Sequence, residues 1–289
     1  MEITLEEVLK EKDIVLVDGS TNGHSNFYWY LGGIDKPIQI DLSRVEEEIF
    51  RVNQFSELLL KPNVRTIPQV TEELSCLKDM VEKNKKHIFY KARVNCEEER
   101  LKLDELSEAI FRMTSYSKGR EISKTEAGVL NGNLEKLFEI VSILSEELHL
   151  KRDSNLKYGR SHPKDWKDKK TDEYLVAFAY SLMLQNKKSA ILTGDTDLIR
   201  LMGVCTKIIG CEEFLPTNQV FRESVLKNSY GVYFRTVDQK TNDLFLEYYQ
   251  QSIDLSKTSF DKSFQLYNQP NKTIKSRISS LIKEIKYQE

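Results

Sequence analysis

The stretch ILTGDTDLIRL, residues 191–201, is the most informative part of this chain. The segment SAILTG at residues 189–194 predicts a short buried strand that ends at its glycine. Asp195 and Asp197 follow directly after it. Gly-Asp is also a common turn sequence, and taken alone these two aspartates are more typical of a solvated turn. A metal site at this strand end requires further acids from other parts of the chain.

A second apolar run, DIVLVD at residues 13–18, predicts another buried strand, and it too ends in an aspartate, Asp18. The segment NVRTIP at residues 63–68 predicts a third strand, and CTKIIG at residues 205–210 predicts a fourth. The sequence therefore contains several short strands, two of which lead into carboxylates.

Segments with helical spacing of apolar residues separate these strands. Residues 41–60 and 68–83 each carry an apolar stripe. A further helix, with Thr171 as its N-cap, leads into the strand at residues 189–194. Alternation of strands and helices predicts an α/β fold of three layers, in which a central parallel sheet has helices on both faces. Ligands of such sheets bind at the carboxyl ends of the strands.

Two parts of the chain lie outside this alternation. Residues of about 82–165 are helical in pattern and predict a mostly helical insertion. After about residue 214 the pattern weakens, and polar and aromatic residues alternate up to a basic amphipathic stretch at the end. We therefore expect one domain over residues 1–215, which includes the insertion, and a C-terminal extension over residues 216–289.

Composition excludes several classes of protein. The net charge of −2 argues against a protein that coats nucleic acid, although a local basic track remains compatible with it. The four cysteines form no CxxC pair and the four histidines have no zinc spacing, so a cysteine or histidine metal site is not expected. The longest apolar runs are too short to span a bilayer. Together these features favour a soluble, cytoplasmic protein with reduced thiols.

Acids at the ends of two predicted strands suggest a metal site if these strands are neighbours in the sheet. Asp172 in the first turn of a helix and Glu73 on the helix after the third strand can join Asp18 and Asp195 at one edge of the sheet. Carboxylates that converge repel one another, and a divalent cation removes this repulsion. Oxygen ligands without Cys or His select Mg²⁺ or Mn²⁺. Each acid alone is also typical of a turn or of a helix N-terminus.

Four motifs in order carry a resemblance to a known family. They are VLVDGST, IPQVTEEL, TDEYLVAFA and ILTGDTDL, within about residues 13–81 and 165–215. In this order they resemble the PIN domain, a metal-dependent nuclease fold. The resemblance implies catalytic and metal-binding roles for Asp18, Glu73, Asp172 and Asp195, with Asp197 as a fifth metal ligand and Ser20 and Thr193 as supporting hydroxyls. Glu72 is the alternative to Glu73. The segment between Glu73 and Asp172 is much longer than in compact members.

The resemblance implies hydrolysis of phosphodiester bonds with bound Mg²⁺ or Mn²⁺, and RNA is the favoured substrate. A structure-specific or single-strand DNA nuclease of the same architecture is one alternative. A PIN-like scaffold that only binds RNA or protein is another. A phosphatase of the haloacid dehalogenase type is disfavoured, because Leu16 stands where that family needs its nucleophilic aspartate.

The segment before Asp172 is strongly basic. Residues 151–170 contain eight Lys or Arg against three Asp. Such a stretch is either a solvated loop or a nucleic-acid contact in which aromatic side chains stack on bases and cations bind phosphates. The candidate contact residues are Lys157, Tyr158, Arg160, Lys164, Trp166, Lys167 and Lys169. The helical insertion and the C-terminal tail are candidates for a protein partner, for self-association or, for the final amphipathic stretch, for simple packing.

Overall fold

The computed structural model describes most of the predicted α/β elements. The described residues are 5–19, 42–75, 78–79, 82, 97–123, 125–127, 132–152, 170–193, 198, 201–202, 205, 229–236, 244–250 and 272–285.

The chain divides into two compact units. The first consists of Met1–Leu16 and Ile122–Glu289, and the second of Val17–Glu121. The boundary therefore falls near the end of the first strand, and each unit contains part of the predicted motif set.

Except for Val17 at the end of β1, the first unit contains four strands of a sheet in the order β1-β3-β4-β5. They are β1 (Ile14–Val17), β3 (Ser189–Thr193), β4 (Ser229–Thr236) and β5 (Leu244–Gln250). β3 pairs with β4 in parallel, and β5 runs antiparallel to β4. The backbone amides of Asp13 and Ile14 both donate to the carbonyl oxygen of Lys188. Because β1 and β3 both begin at this point and lie side by side, they run in the same direction.

The helices of the first unit are α1 (Leu5–Glu11), α5 (Asn133–Arg152), α6 (Thr171–Leu184) and α7 (Lys272–Lys283). α6 packs against β3 and against α5, and α5 also contacts α7. Eleven of the fourteen residues of α6 are buried, which explains its nearly continuous apolar sequence. α7 buries Ile278 and Ile282, while Arg277 on its exposed side pairs with Glu139 of α5 at 2.6 Å.

The second unit contains α2 (Leu42–Leu59), β2 (Val64–Arg65), the helical residues 68–75, here termed α3, and α4 (Glu97–Gly119). The long helices α2 and α4 pack against each other. Thr66, next to β2, donates its hydroxyl to the carbonyl oxygen of Ser117 at 2.7 Å and its amide to that of Arg120 at 3.0 Å. These bonds join the end of α4 to the segment that leads into α3.

The α/β class is confirmed, with mostly helical structure and a small parallel sheet in the described residues. The strands predicted within residues 13–18, 63–68 and 189–194 are present, and residues 97–119 and 133–152 are helical as expected. β4 and β5 lie in the predicted C-terminal extension, where no strand is expected from the sequence. The strand predicted at residues 205–210 falls outside the described residues, except that Cys205 is helical.

One capping prediction is wrong. The residue before α6 is Lys170, in a left-handed conformation, and Thr171 is already helical. No side chain caps this helix through a hydrogen bond. None of the helices in the described ranges is both long and apolar enough to cross a lipid bilayer.

Candidate metal centre

The two strands that lead into the predicted acids are neighbours. All four residues of β1 and all five of β3 are buried. Since β1 and β3 run in the same direction, the carboxyl ends of these two strands belong to the same edge of the sheet. Asp18 is the first residue after β1, and Thr193 is the last residue of β3. At β1, a carboxylate therefore lies where the sequence predicts one, directly after the strand.

Asp18 is deeply buried, with only 5% of its surface exposed. Burial of an ionised carboxylate is costly unless hydrogen bonds, a cation or a metal ion compensate its charge. An aspartate that merely ended a strand in a solvated turn would be exposed. Its burial is therefore inconsistent with the solvated-turn interpretation of VLVDGST.

Glu73 lies on α3, whose first turn is fixed from the side. The hydroxyl of Thr71 lies 2.9 Å from that of Ser117, and both residues are buried. Glu72 is exposed and Glu73 is half-buried, directly before the buried Leu74. This difference favours Glu73 over Glu72 as the acid that faces a protein site.

Asp172 lies in the first turn of α6 and is half-buried. Glu173 next to it is buried, and its Oε1 accepts a hydrogen bond of 2.6 Å from the hydroxyl of Ser145 on α5. On the other side of Asp172, Lys170 has φ 48° and ψ 39°, and its Nζ lies 3.4 Å from Oε1 of Glu146. The first turn of α6 is thus held at two points by neighbouring residues of α5.

Several predicted site residues lie outside the described residues. Thr193 is a supporting residue that the structure does describe, and it is fully buried at the end of β3. Of the other supporting and metal-binding residues, Ser20, Asp195 and Asp197 are not described. The same holds for the seven candidate nucleic-acid contacts: Lys157, Tyr158, Arg160, Lys164, Trp166, Lys167 and Lys169.

The donor chemistry of the described candidates fits Mg²⁺ or Mn²⁺. Asp18, Glu73 and Asp172 offer only carboxylate oxygens, the ligands that these hard cations prefer. Cys205 is fully buried, and burial raises the pKa of its thiol, so it does not supply a thiolate. Within the described ranges, no three His, Cys, Asp or Glu side chains are close enough to hold a metal ion together. Asp195 and Asp197 lie outside those ranges.

A buried acid on α2 was not predicted from the sequence. Glu48 is 1% exposed, and neither of its carboxylate oxygens has a hydrogen-bond partner. On the same helix, Nη1 of Arg51 lies 3.7 Å from Oε2 of Glu48. Burial raises the pKa of Glu48 to about 7, against the lowering effect of Arg51 and with a further raising effect of Glu47. In the sequence, Glu48 is hidden among three consecutive glutamates, and only its helical spacing to Val45 and Val52 indicates the buried face.

The pair Ser145 and Glu173 was also missed, because 28 residues separate its members and the pair belongs to no local pattern.

Comparison of the chain with protein-family profiles, with curated proteins and with solved structures finds no match. Function is therefore inferred from the residues of this chain alone.

Proposed function

We propose that this protein is a cytoplasmic metal-dependent ribonuclease with a PIN-like architecture. Asp18, Glu73, Asp172 and Asp195 hold Mg²⁺ or Mn²⁺, and Asp197 is a fifth ligand. One observation carries the proposal: β1 and β3 are parallel neighbours, and each leads into an aspartate. Ligand sites of open α/β sheets lie at such strand ends.

The burial of Asp18 and the half-buried positions of Glu73 and Asp172 support this proposal. An aspartate in a solvated turn would be exposed, and Asp18 is not. These three acids also follow the order and the structural context of the motifs: strand end, helix after a strand, and first turn of the helix before β3. A chance set of surface acids would not be expected to share all three contexts.

The proposed reaction is hydrolysis of a phosphodiester. A bound ion supplies Lewis acidity, which lowers the pKa of a water and neutralises charge on the phosphate. The aspartates would hold that ion, and we assign to Glu73 the role of accepting the proton of the attacking water. The water oxygen forms a bond to phosphorus, the ester P–O bond breaks, and the leaving oxygen takes up a proton. Ser20 and Thr193 are assigned as supporting hydroxyls beside the ion.

The substrate contact is assigned to the basic stretch before α6. Lys157, Arg160, Lys164, Lys167 and Lys169 bind phosphates, and Tyr158 and Trp166 stack on unpaired bases. Stacking on unpaired bases favours a single-stranded substrate. RNA is the proposed polymer, and DNA is the competing outcome of the assay below.

The test is cleavage of labelled single-stranded RNA and DNA of the same sequence by the purified protein with Mn²⁺, Mg²⁺ or EDTA. Asp195→Asn and Asp172→Asn are compared with Asp79→Asn, which changes an exposed acid on another helical segment. We expect metal-dependent cleavage of RNA that both site variants lose and the control keeps. Cleavage of DNA alone would mean that DNA, and not RNA, is the substrate. Metal binding without cleavage of either polymer would favour a scaffold, and full activity in either site variant would overturn the assignment.

A further inference from the structure

Two adjacent residues of α5 hold the residues on both sides of Asp172. Ser145 donates its hydroxyl to Glu173, one residue after Asp172, at 2.6 Å. Glu146 accepts from the ammonium of Lys170, two residues before Asp172, at 3.4 Å. These contacts fix the first turn of α6 against α5 from both directions.

The contact between Ser145 and Glu173 is buried. Ser145 is 3% exposed and Glu173 is 9% exposed. Hydrogen bonds to an ionised acceptor are short and strong, and removal of the donor leaves a buried carboxylate with its desolvation cost uncompensated. The charge of Glu173 also contributes, after burial, to the raised pKa of the Cys205 thiol.

The backbone conformation of Lys170 also indicates that the start of α6 is fixed by its surroundings. A lysine with φ 48° is in the left-handed region, which residues other than glycine rarely adopt. Such a conformation persists where surrounding contacts over-determine it, and it is concentrated at functional sites. Here the contacts include the ion pair with Glu146 and the ring of Phe138, whose centroid lies 5.9 Å from the ammonium. Phe138 also stacks on Tyr174 at 4.0 Å between centroids.

We propose that Ser145 and Glu173, together with the ion pair between Lys170 and Glu146, are positioning residues that hold the carboxylate of Asp172 in place for metal binding. The inference rests on the proposed function. None of the four residues binds the ion. They act through the backbone of the first turn of α6, because Asp172 lies between the two anchored residues. Removal of groups bonded directly to metal ligands typically changes metal affinity by about 10–100-fold, and these indirect contacts are expected to lie at the lower end of that range.

The test is the Kd for Mn²⁺, measured by calorimetry, in Ser145→Ala, in Ser145→Thr and in the matched control Ser142→Ala. Ser142 is a buried serine one turn earlier on α5 whose hydroxyl has no hydrogen-bond partner. We expect Ser145→Ala to weaken Mn²⁺ binding about tenfold. Ser145→Thr, which keeps the hydroxyl donor, and Ser142→Ala should both bind Mn²⁺ with the affinity of the wild type. A merely structural role would lower the unfolding midpoint of the metal-free protein without a change in Kd.

Lys170→Met provides a second variant that is expected to fold, because this side chain is 41% exposed. Removal of a cation near a cation site should tighten Mn²⁺ binding by electrostatics alone, whereas loss of positioning should weaken it severalfold. Weaker binding supports the inference, and unchanged or tighter binding contradicts it. An unchanged Kd in Ser145→Ala overturns the inference, whereas the proposed site still stands if the wild type binds Mn²⁺ and Asp195→Asn does not. Absence of Mn²⁺ binding in the wild type overturns both.

Discussion

Asp13 and Lys188 form a reciprocal pair at the amino ends of β1 and β3. The amide of Asp13 donates to the carbonyl oxygen of Lys188 at 2.9 Å, and the amide of Lys188 donates to Oδ2 of Asp13 at 2.8 Å. These bonds set the register of two strands that are 175 residues apart in sequence. The same register aligns the carboxyl ends of the two strands, and the proposed metal ligands follow these ends in the sequence.

Asp13→Ala removes the side-chain half of this pair. We expect the free energy of unfolding to fall by about 1–2 kcal/mol, because the amide of Lys188 loses a charge-assisted hydrogen bond. Urea unfolding measures this change. Asp79→Ala, which removes an exposed aspartate elsewhere, is the control and should change stability by less than about 0.5 kcal/mol. Equal stability of both variants would show that the side-chain bond of Asp13 does not stabilise the pairing of these strands.

Glu48 makes stability depend on pH near neutrality. Its pKa of about 7 in the folded protein lies above the usual 4.5, so the folded state binds more protons between these values. Stability attributable to this group is therefore highest below pH 4.5, falls as pH rises towards 7, and then levels off. The total loss is roughly 3 kcal/mol, since each pKa unit corresponds to about 1.4 kcal/mol.

Glu48→Gln removes the ionisation and keeps the shape of the side chain. The difference in unfolding free energy between variant and wild type should shift in favour of the variant by about 2–3 kcal/mol from about pH 5 to about pH 8. Glu47→Gln, at an exposed neighbouring position, should show little shift. A pH-independent difference for Glu48→Gln would mean that its carboxylate is hydrated in solution.

The C-terminal helix α7 should contribute to stability through its apolar face. Ile282→Ala removes a fully buried side chain and should lower the free energy of unfolding by about 2–3 kcal/mol. Arg277→Ala breaks an ion pair whose partners are 62% and 42% exposed, and it should cost no more than about 1 kcal/mol. Thermal unfolding of the two variants compares these effects. The opposite ranking would contradict a packing role for this helix.

Charge reversal of Lys164, Lys167 and Lys169 tests the basic stretch. Removal of phosphate contacts should weaken the binding of single-stranded RNA and reduce the slope of log Kd against log salt by about 0.7 for each phosphate that is no longer bound. Fluorescence anisotropy at several salt concentrations, with the Asp195→Asn variant as the background, measures both quantities. Binding with an unchanged slope would identify this stretch as a solvated loop.

Local sequence predicts β1 and β3 well, since each is a short apolar run that ends in a turn residue and is fully buried. β4 and β5 show the alternation of aromatic and polar residues that is typical of strands, in SYGVYFRT and LFLEYYQ. The sequence does not predict them, because a weak alternation becomes a strand only when it has a partner. The partner of β4 is β3, in register Ser189 to Ser229.

The start of α6 shows a similar limit. Thr171 is a good N-cap by type, but contacts of Lys170 and Glu173 with α5 fix the helix one residue earlier. These contacts join positions 24 and 28 residues apart, so no local pattern indicates them. The buried position of Asp18 fits the metal-site hypothesis formed from its place at a strand end, whereas Glu48 gains its perturbed pKa from packing that a run of glutamates does not reveal.

The acids that follow β1 and β3 are proposed to bind one and the same metal ion, and the whole functional assignment depends on this. Calorimetric titration of Mn²⁺ into the wild type, Asp18→Asn and Asp195→Asn tests it, with circular dichroism to establish that each variant is folded. We expect Mn²⁺ binding by the wild type and a loss of at least about tenfold in affinity in both variants. Wild-type affinity in either folded variant would show that its aspartate is not a ligand and that no shared site exists.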